Sequence, residues 1–262
     1  MLIVPDRANN LLLEFNNIWV HSKRLLDTDS TNTAHKTRSK TNDNQVNNEQ
    51  VLINAANGQL SQGQLTVLTG HSGSGKSVLL RVLAGLSPLT TGNIWLHNDN
   101  GRLNIRDTSA TQWRRQVALL AQHPELVEGS VLDNLQLPYT LQAHRHSHFN
   151  IDWHIQQLAC LQRRETFLQQ SAAHLSGGER QIVNTLRLLQ LQPQVLLLDE
   201  PTAALDTETA SHLIQLLMGW LQAEPRRTLL WVTHDTQIIM PLAARHWDMQ
   251  AGILTDVTIN NK

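Results

Sequence analysis

Residues 70–77 read Gly-His-Ser-Gly-Ser-Gly-Lys-Ser. The apolar run Leu65-Thr66-Val67-Leu68-Thr69 precedes them, and Val78, Leu79, Val82, Leu83 and Leu86 follow at helical spacing. A G-x-x-x-x-G-K-[ST] pattern between a strand and a helix is a phosphate-binding loop. Gly70, Gly73 and Gly75 let backbone amides approach an anion without a Cβ in the way. The amides of His71, Ser72, Ser74 and Val78 and the helix N-terminus face the same anion. Lys76 places a point charge near the β- and γ-phosphates, and Ser77 offers a hydroxyl to Mg²⁺. Val78 stands where many such loops carry a second hydroxyl, so one phosphate contact is lost there.

A second cluster lies at the end of Val195-Leu196-Leu197-Leu198-Asp199-Glu200. A carboxylate at the C-terminal end of a buried parallel strand faces the crevice where open α/β sheets bind ligands. Asp199 is placed to hold Mg²⁺ through water, and Glu200 to polarise a water that attacks a γ-phosphate. Just before this strand comes Leu175-Ser176-Gly177-Gly178-Glu179-Arg180-Gln181. Ser176, Gly177 and Gly178 form a small-residue turn at a helix N-terminus, a second end able to face an anion.

The elements that must position these residues alternate. Residues 11–20, 51–53, 65–69, 93–97, 117–121, 195–199 and 228–233 read as strands, and 153–170, 177–191 and 207–222 as helices. In the last helix Ala210, Leu213, Ile214, Leu217 and Leu221 share one face. The alternation predicts an α/β domain. Residues from about 124 to 174 lack a good strand and read as a mostly helical insertion. Residues 27–50 are almost wholly polar and read as a flexible surface insertion.

Composition narrows the class. The 262 residues are 40% hydrophobic, with 21 Lys and Arg against 22 Asp and Glu, a formal net charge of −1. Such balance disfavours a broad basic grip on nucleic acid. Cys160 is the single cysteine, so no intramolecular disulfide forms and a cysteine-based zinc site is disfavoured. No apolar run reaches the ~20 residues of a membrane helix, and Met1–Asn10 do not read as a signal peptide. The expectation is a soluble intracellular protein that works at a membrane only through another chain.

Taken together, these motifs resemble the ATP-binding cassette (ABC) ATPases over about residues 11–259. The resemblance rests on Gly70–Ser77, Gln122 in Leu-Leu-Ala-Gln-His-Pro-Glu-Leu, Leu175–Gln181, Val195–Asp206 and Trp231–Asp235. It implies a P-loop NTPase fold with a mostly parallel core sheet flanked by helices, an antiparallel β subdomain and an inserted helical subdomain. The core would span 11–123 and 175–259, and the helical subdomain 124–174. It implies ATP and Mg²⁺ as cofactors and ATP hydrolysis as the activity. Gln122 resembles the glutamine that contacts Mg²⁺ and the attacking water and senses the permease. His234 resembles the histidine that contacts the γ-phosphate and orients Glu200. Asp206 resembles the aspartate that communicates between protomers. Ser176, Gly177 and Gly178 resemble the turn that closes over ATP held by a second copy. The implied partners are therefore an integral membrane permease and a second, head-to-tail copy, with no nucleic acid. The implied location is the cytoplasmic face of the cell membrane. In the family, the region of Leu126–Leu132 borders the groove that receives a short permease helix.

Three departures stand out. Ser22 occupies the position where family members commonly stack an aromatic ring on adenine, with His21 and Trp19 nearby. Ala203 replaces a common serine. The polar run at 27–50 lengthens the first hairpin. The chain stops 28 residues after His234 and carries no long coiled-coil insertion and no second cassette. This leaves a stand-alone transporter subunit as the expected type. More narrowly, Leu68–Gly70, Ser130–Pro138 and Leu229–Asp235 resemble the ATPase of the FetA/FetB-type system implicated in iron export. The alternatives are the ATPase of a polar-solute importer, of amino acid or phosphate type, and a non-transport, nucleotide-switched clamp. His144, His146 and His148 would face one side of an extended chain and form a candidate metal-binding segment.

Overall fold

Three apolar pentads make the centre of a parallel sheet. They are β3 (Leu65–Thr69), β7 (Val195–Asp199) and β8 (Thr228–Val232), and all but the last residue of β3 are buried. With β6 (Val117–Leu120), β9 (Arg245–Gln250) and β10 (Ile253–Val257), they form a six-stranded sheet. Its order is β10-β9-β3-β8-β7-β6, antiparallel only between β9 and β10. The molecule is described here from a computed structural model, over residues 10–22, 50–99 and 101–257. Residues 27–49 of the polar insertion lie outside them.

Both faces of the parallel sheet are covered, which is why its strands read as continuous apolar runs. On one face Val195, Leu197, Leu230 and Trp247 pack with Leu79 and Leu83 of α1 (Lys76–Leu83). Phe15 and Leu13 of a second, four-stranded sheet join the same cluster. That sheet is antiparallel, in the order β2-β1-β4-β5, from β1 (Leu11–Ser22), β2 (Gln50–Ser61), β4 (Thr91–Asn98) and β5 (Gly101–Asn104). On the other face Leu196, Leu198, Val67 and Trp231 meet α5 (Gly177–Leu189) and α6 (Thr207–Ala223). Here the expected α/β class with an antiparallel sheet beside the parallel one is found.

Residues 124–174 contain α3 (Val131–Gln136), α4 (Ile151–Cys160), four short 3₁₀ segments and an isolated bridge between Ser130 and Ser171. Leu135, Leu158, Phe167 and Leu168 pack into the cluster shared with α5 and α6. The helix expected over 153–170 is corrected: α4 ends at Cys160. Gln162 turns left-handed at φ 55°, and Arg163 N–H bonds Leu158 C=O at 2.8 Å. This six-to-one bond is a Schellman stop. The apolar positions beyond it, Phe167 and Leu168, are buried from a 3₁₀ turn at Glu165–Gln169 instead. The short helix α2 (Ala110–Gln116) and strands β5, β9 and β10 were not expected. Among the described residues, no helix is long and apolar enough to cross a membrane.

Candidate functional site

The phosphate loop leaves β3 and enters α1, as the motif requires. Its glycines are demanded by the packing beneath as well as by the space above. A Cβ at Gly70 would sit 2.1 Å from the Met249 carbonyl oxygen, and one at Gly75 would sit 2.8 Å from that of Leu52. Both have positive φ, 140° and 108°. Lys76 is buried, and its Nζ donates to the carbonyls of Gly70 (2.8 Å) and His71 (2.9 Å). Burial lowers its pKa, against the opposing pull of Glu200, Asp199 and Asp248.

Across the crevice, β7 delivers the two acids. Asp199 is buried, and burial raises its carboxyl pKa. A hydrogen bond with Ser77 works against that rise, Glu200 adds to it, and Lys76 and His123 oppose it. The Ser77 hydroxyl and the Asp199 carboxylate thus form a hard-oxygen pair at the loop, the donor set Mg²⁺ takes beside a phosphate. Glu200 lies where the strand ends and has φ 49°. A non-glycine residue in this region stores about 1–3 kcal/mol of strain, and such residues cluster at functional sites. Each oxygen of its carboxylate has one partner. Gln122 Nε2 donates to Oε2 at 3.0 Å, and His234 Nε2 lies 3.0 Å from Oε1. An amide and an imidazole so placed fix the carboxylate's orientation, which leaves it able to accept from a bound water.

Ser72–Val78, Gln122, Glu200 and His234 line one cavity of about 760 Å³. Its remaining wall is Gln50, Val51, Leu52, Ala251 and Gly252. The fold joins these distant segments through backbone bonds: Asn54 N–H to Gly252 C=O and Gly252 N–H to Ser74 C=O, both 2.9 Å. Sequence reading placed residues 51–53 on a strand but assigned neither that strand nor Ala251 and Gly252 to the site.

Other expected residues lie elsewhere. His71 is exposed and outside the cavity wall. Ser176 caps α5, accepting from Glu179 N–H at 3.2 Å while Glu179 accepts from Ser176 N–H at 2.9 Å. Gly178 packs on Ala204 and Leu205. Asp206 caps α6, and the backbone N–H and hydroxyl of Thr209 hold its carboxyl below the usual range. None of Ser176, Gly177, Gly178 and Asp206 lines the cavity within this one chain. Ser22 directs its hydroxyl at the Gln50 carbonyl, 3.5 Å away, and Trp19 Nε1 bonds Asn17 Oδ1 at 2.9 Å. The candidate metal segment at 144–148 is corrected. His144 ends a 3₁₀ turn, and His146 Nε2 accepts from Arg145 Nε at 3.0 Å. Among the described residues no group of three His, Cys, Asp or Glu is placed to hold a metal.

Beneath the loop is a polar group that motif reading did not reach. Thr69 Oγ1 bonds His246 Nε2 at 2.8 Å and Asp248 Oδ1 at 2.9 Å, and Gln250 Nε2 bonds Asp248 Oδ2 at 2.8 Å. One hydroxyl proton serves the carboxylate, so the network assigns the proton between Thr69 and His246 to the imidazole. Burial raises the Asp248 pKa, but the bonds from Thr69 and Gln250, with His246 and His71 nearby, leave it lowered on balance.

The ABC transporter family model matches residues 53–203. The methionine import ATP-binding protein MetN 1 of Pseudomonas fluorescens (strain Pf0-1) is 33% identical over 199 residues, 75% of this chain and 58% of that protein. The probable iron export ATP-binding protein FetA of Escherichia coli (strain K12) is 33% identical over 184 residues, 70% of this chain and 78% of that protein. This chain thus spans less than two thirds of the methionine-import relative. A solved dimer of the ATP-binding cassette MJ0796, in a post-hydrolysis state bound to ADP and Pi, superposes with a TM-score of 0.74. That comparison covers 96% of this chain and 100% of the other at 22% identity, a likeness of fold. More than half of the sequence lies inside the family model, and the chain belongs to the ABC transporter family as an ATP-binding cassette.

Proposed function

We propose that this chain is an ATP-hydrolysing subunit that energises transport through a separate membrane permease. The observation that carries the reading is the carboxylate of Glu200, fixed between Gln122 and His234 and sharing one cavity with the phosphate loop. In this reading the loop amides and Lys76 hold the β- and γ-phosphates. Lys76 exchanges its two carbonyl partners for phosphate oxygens. Ser77, Asp199 and Gln122 would hold Mg²⁺, which supplies neutralisation of charge on the β- and γ-oxygens. Glu200 accepts a hydrogen bond from the attacking water and draws its proton as the new bond forms. His234 and Gln122 keep the carboxylate from turning away. Catalysis is then positioning and charge stabilisation, with no covalent intermediate.

Ser176–Gly178 and Asp206 lie outside the cavity of their own chain, which supports a head-to-tail pair in which each copy completes the other's site. The division into a core of 11–123 and 175–259 and a helical unit of 124–174 belongs to the same reading, as does a place at the cytoplasmic membrane face. The FetA relative, matched over 78% of its own length, favours export of iron or another metal. The methionine-import relative makes uptake of a polar solute the competing outcome. Glu200→Gln keeps the shape and removes the base. Hydrolysis by the subunit with its permease should fall by about 10²–10⁴-fold, and ATP should hold the variant as dimers in size-exclusion chromatography. Wild-type hydrolysis by the variant would refute the role of Glu200. Metal efflux, or solute uptake, by the reconstituted complex decides direction.

A further inference from the structure

Three carboxylates act on Lys76, and hydrolysis as proposed above uses two of them. Burial lowers the Lys76 pKa, and Glu200, Asp199 and Asp248 all oppose that fall. Glu200 is assigned to the attacking water and Asp199 to the metal, whereas Asp248 has no such task. The fold holds it in place all the same. β9 runs parallel to β3 with Asp248 opposite Thr69, the residue that precedes Gly70. The Met249 backbone lies so close to the loop that a Cβ on Gly70 would sit 2.1 Å from its carbonyl oxygen. Thr69 Oγ1 donates to Asp248 Oδ1 at 2.9 Å, with the Trp247 carbonyl a longer alternative at 3.4 Å. Gln250 Nε2 donates to Asp248 Oδ2 at 2.8 Å, and His246 Nε2 bonds the Thr69 hydroxyl at 2.8 Å.

These bonds fix a charge as well as a shape. Burial pushes the Asp248 pKa up, but the bonds from Thr69 and Gln250, with His246 and His71 nearby, hold it below the ordinary value. The carboxylate is therefore ionised at neutral pH. Lys76 Nζ reaches back to the Gly70 carbonyl at 2.8 Å, and Asp248 bonds the residue before it. The ammonium and the carboxylate thus attach to one short segment, Thr69–Gly70. A phosphate that takes up Lys76 also meets the field of Asp248. Exposed charges act over about a Debye length, ~10 Å at 0.1 M salt. The repulsion scales with the negative charge on the ligand. Asp248 is half-buried, so the effect is moderate and fades as salt is added.

We propose that Asp248 sets nucleotide affinity through Lys76: its carboxylate, held at the root of the phosphate loop by Thr69 and Gln250, offsets the ammonium and loosens the grip on the product diphosphate. This rests on the reading of the cavity as a nucleotide site. The test is titration calorimetry of the full-length protein with ADP, once with Mg²⁺ and once in EDTA, at low and at high salt. Asp248→Asn keeps the shape and an acceptor for Thr69 but removes the charge. At low salt it should tighten MgADP roughly twofold. Mg²⁺-free ADP carries about two more units of negative charge, so it should tighten roughly five- to tenfold. Both gains should shrink at high salt. Asp248→Glu keeps the charge and disturbs the bonds, and it should stay within about twofold of the wild type for both ligands. A purely structural role gives the reverse order, with the Asn variant near wild type and the Glu variant impaired. That reverse order would overturn the proposal and leave the ATPase reading standing. So would a gain in the Asn variant that is equal for the two ligands, or a Glu variant that tracks the Asn variant. Failure of the wild type to bind MgADP would overturn the nucleotide reading itself.

Discussion

The backbone at Glu200 makes a quantitative prediction that does not depend on any ligand. Its φ of 49° is left-handed, where a residue with a Cβ costs roughly 1–2 kcal/mol more than in a right-handed conformation. Glycine has no such cost, but it gives up about 0.4–1 kcal/mol through the freedom it adds to the unfolded chain. Glu200→Ala and Glu200→Gly lose the same hydrogen bonds, to Gln122 and His234. Their difference therefore isolates the backbone. Glycine should be the more stable variant by about 0.5–1 kcal/mol, which for a protein of this size is roughly 2 °C in melting temperature. Ala203, exposed and with φ outside the positive region, is the control. There the sign reverses, and Ala203→Gly should lower the melting temperature through the unfolded chain. Thermal unfolding followed by tryptophan fluorescence, at equal concentrations without nucleotide, measures both. An alanine variant at 200 as stable as the glycine variant would show that the strand end is not strained, and the link between strain and site would fall.

Other outcomes follow from the same geometry. Burial and the neighbouring Glu200 raise the Asp199 pKa in the folded state, so its ionised form costs stability at neutral pH. The cost fades as pH falls through the raised folded pKa, and is gone below the ordinary value of 3.8. Asp199→Asn should therefore raise the melting temperature at pH 7–8 and lose that advantage near pH 3.5, while weakening Mg²⁺-dependent nucleotide binding; an unchanged melting temperature at pH 8 would contradict this. A Cβ on Gly178 would lie 2.8 Å from Leu205 Cδ2 and 3.1 Å from the Ala204 carbonyl. Gly178→Ala should cost about 1–3 kcal/mol by overpacking, read by denaturant unfolding, with faster amide exchange confined to 203–206 if the loop gives way first.

How much of this was legible depended on which faces each element buries. Leu65–Thr69, Val195–Asp199 and Thr228–Val232 were plain because both faces are covered and no polar residue interrupts them. β9 carries Trp247 and Met249 on its buried face and His246, Asp248 and Gln250 on the other. That alternation is strand-like, but its polar half hid it. α2 buries only Trp113, too little for a periodic signal. The helix expected through residue 170 overran because Leu158, Leu161, Phe167 and Leu168 keep a rough apolar rhythm across the left-handed turn at Gln162. In the site, every residue of a contiguous motif could be read directly. The Gln122–Glu200–His234 trio needed the resemblance, since its members lie on three separate segments, and the Gln50–Leu52 wall needed the structure.

The phosphate loop shows why a motif can be right for more reasons than the one that identifies it. Its glycines read as openings for an anion. Gly73 fits that account, since a Cβ there would meet nothing within 4 Å. Gly70 and Gly75 do not fit it alone, because added Cβ atoms would strike the carbonyls of Met249 on β9 and Leu52 on β2. The loop is wedged between the parallel sheet and the antiparallel sheet, and two of its three glycines are set by that wedge. The same wedge brings Leu52 and Gly252 against the loop, and so builds the far wall of the cavity. The phosphate loop and the far wall of the cavity are thus one packing problem. A change in how β2 meets the loop alters both together.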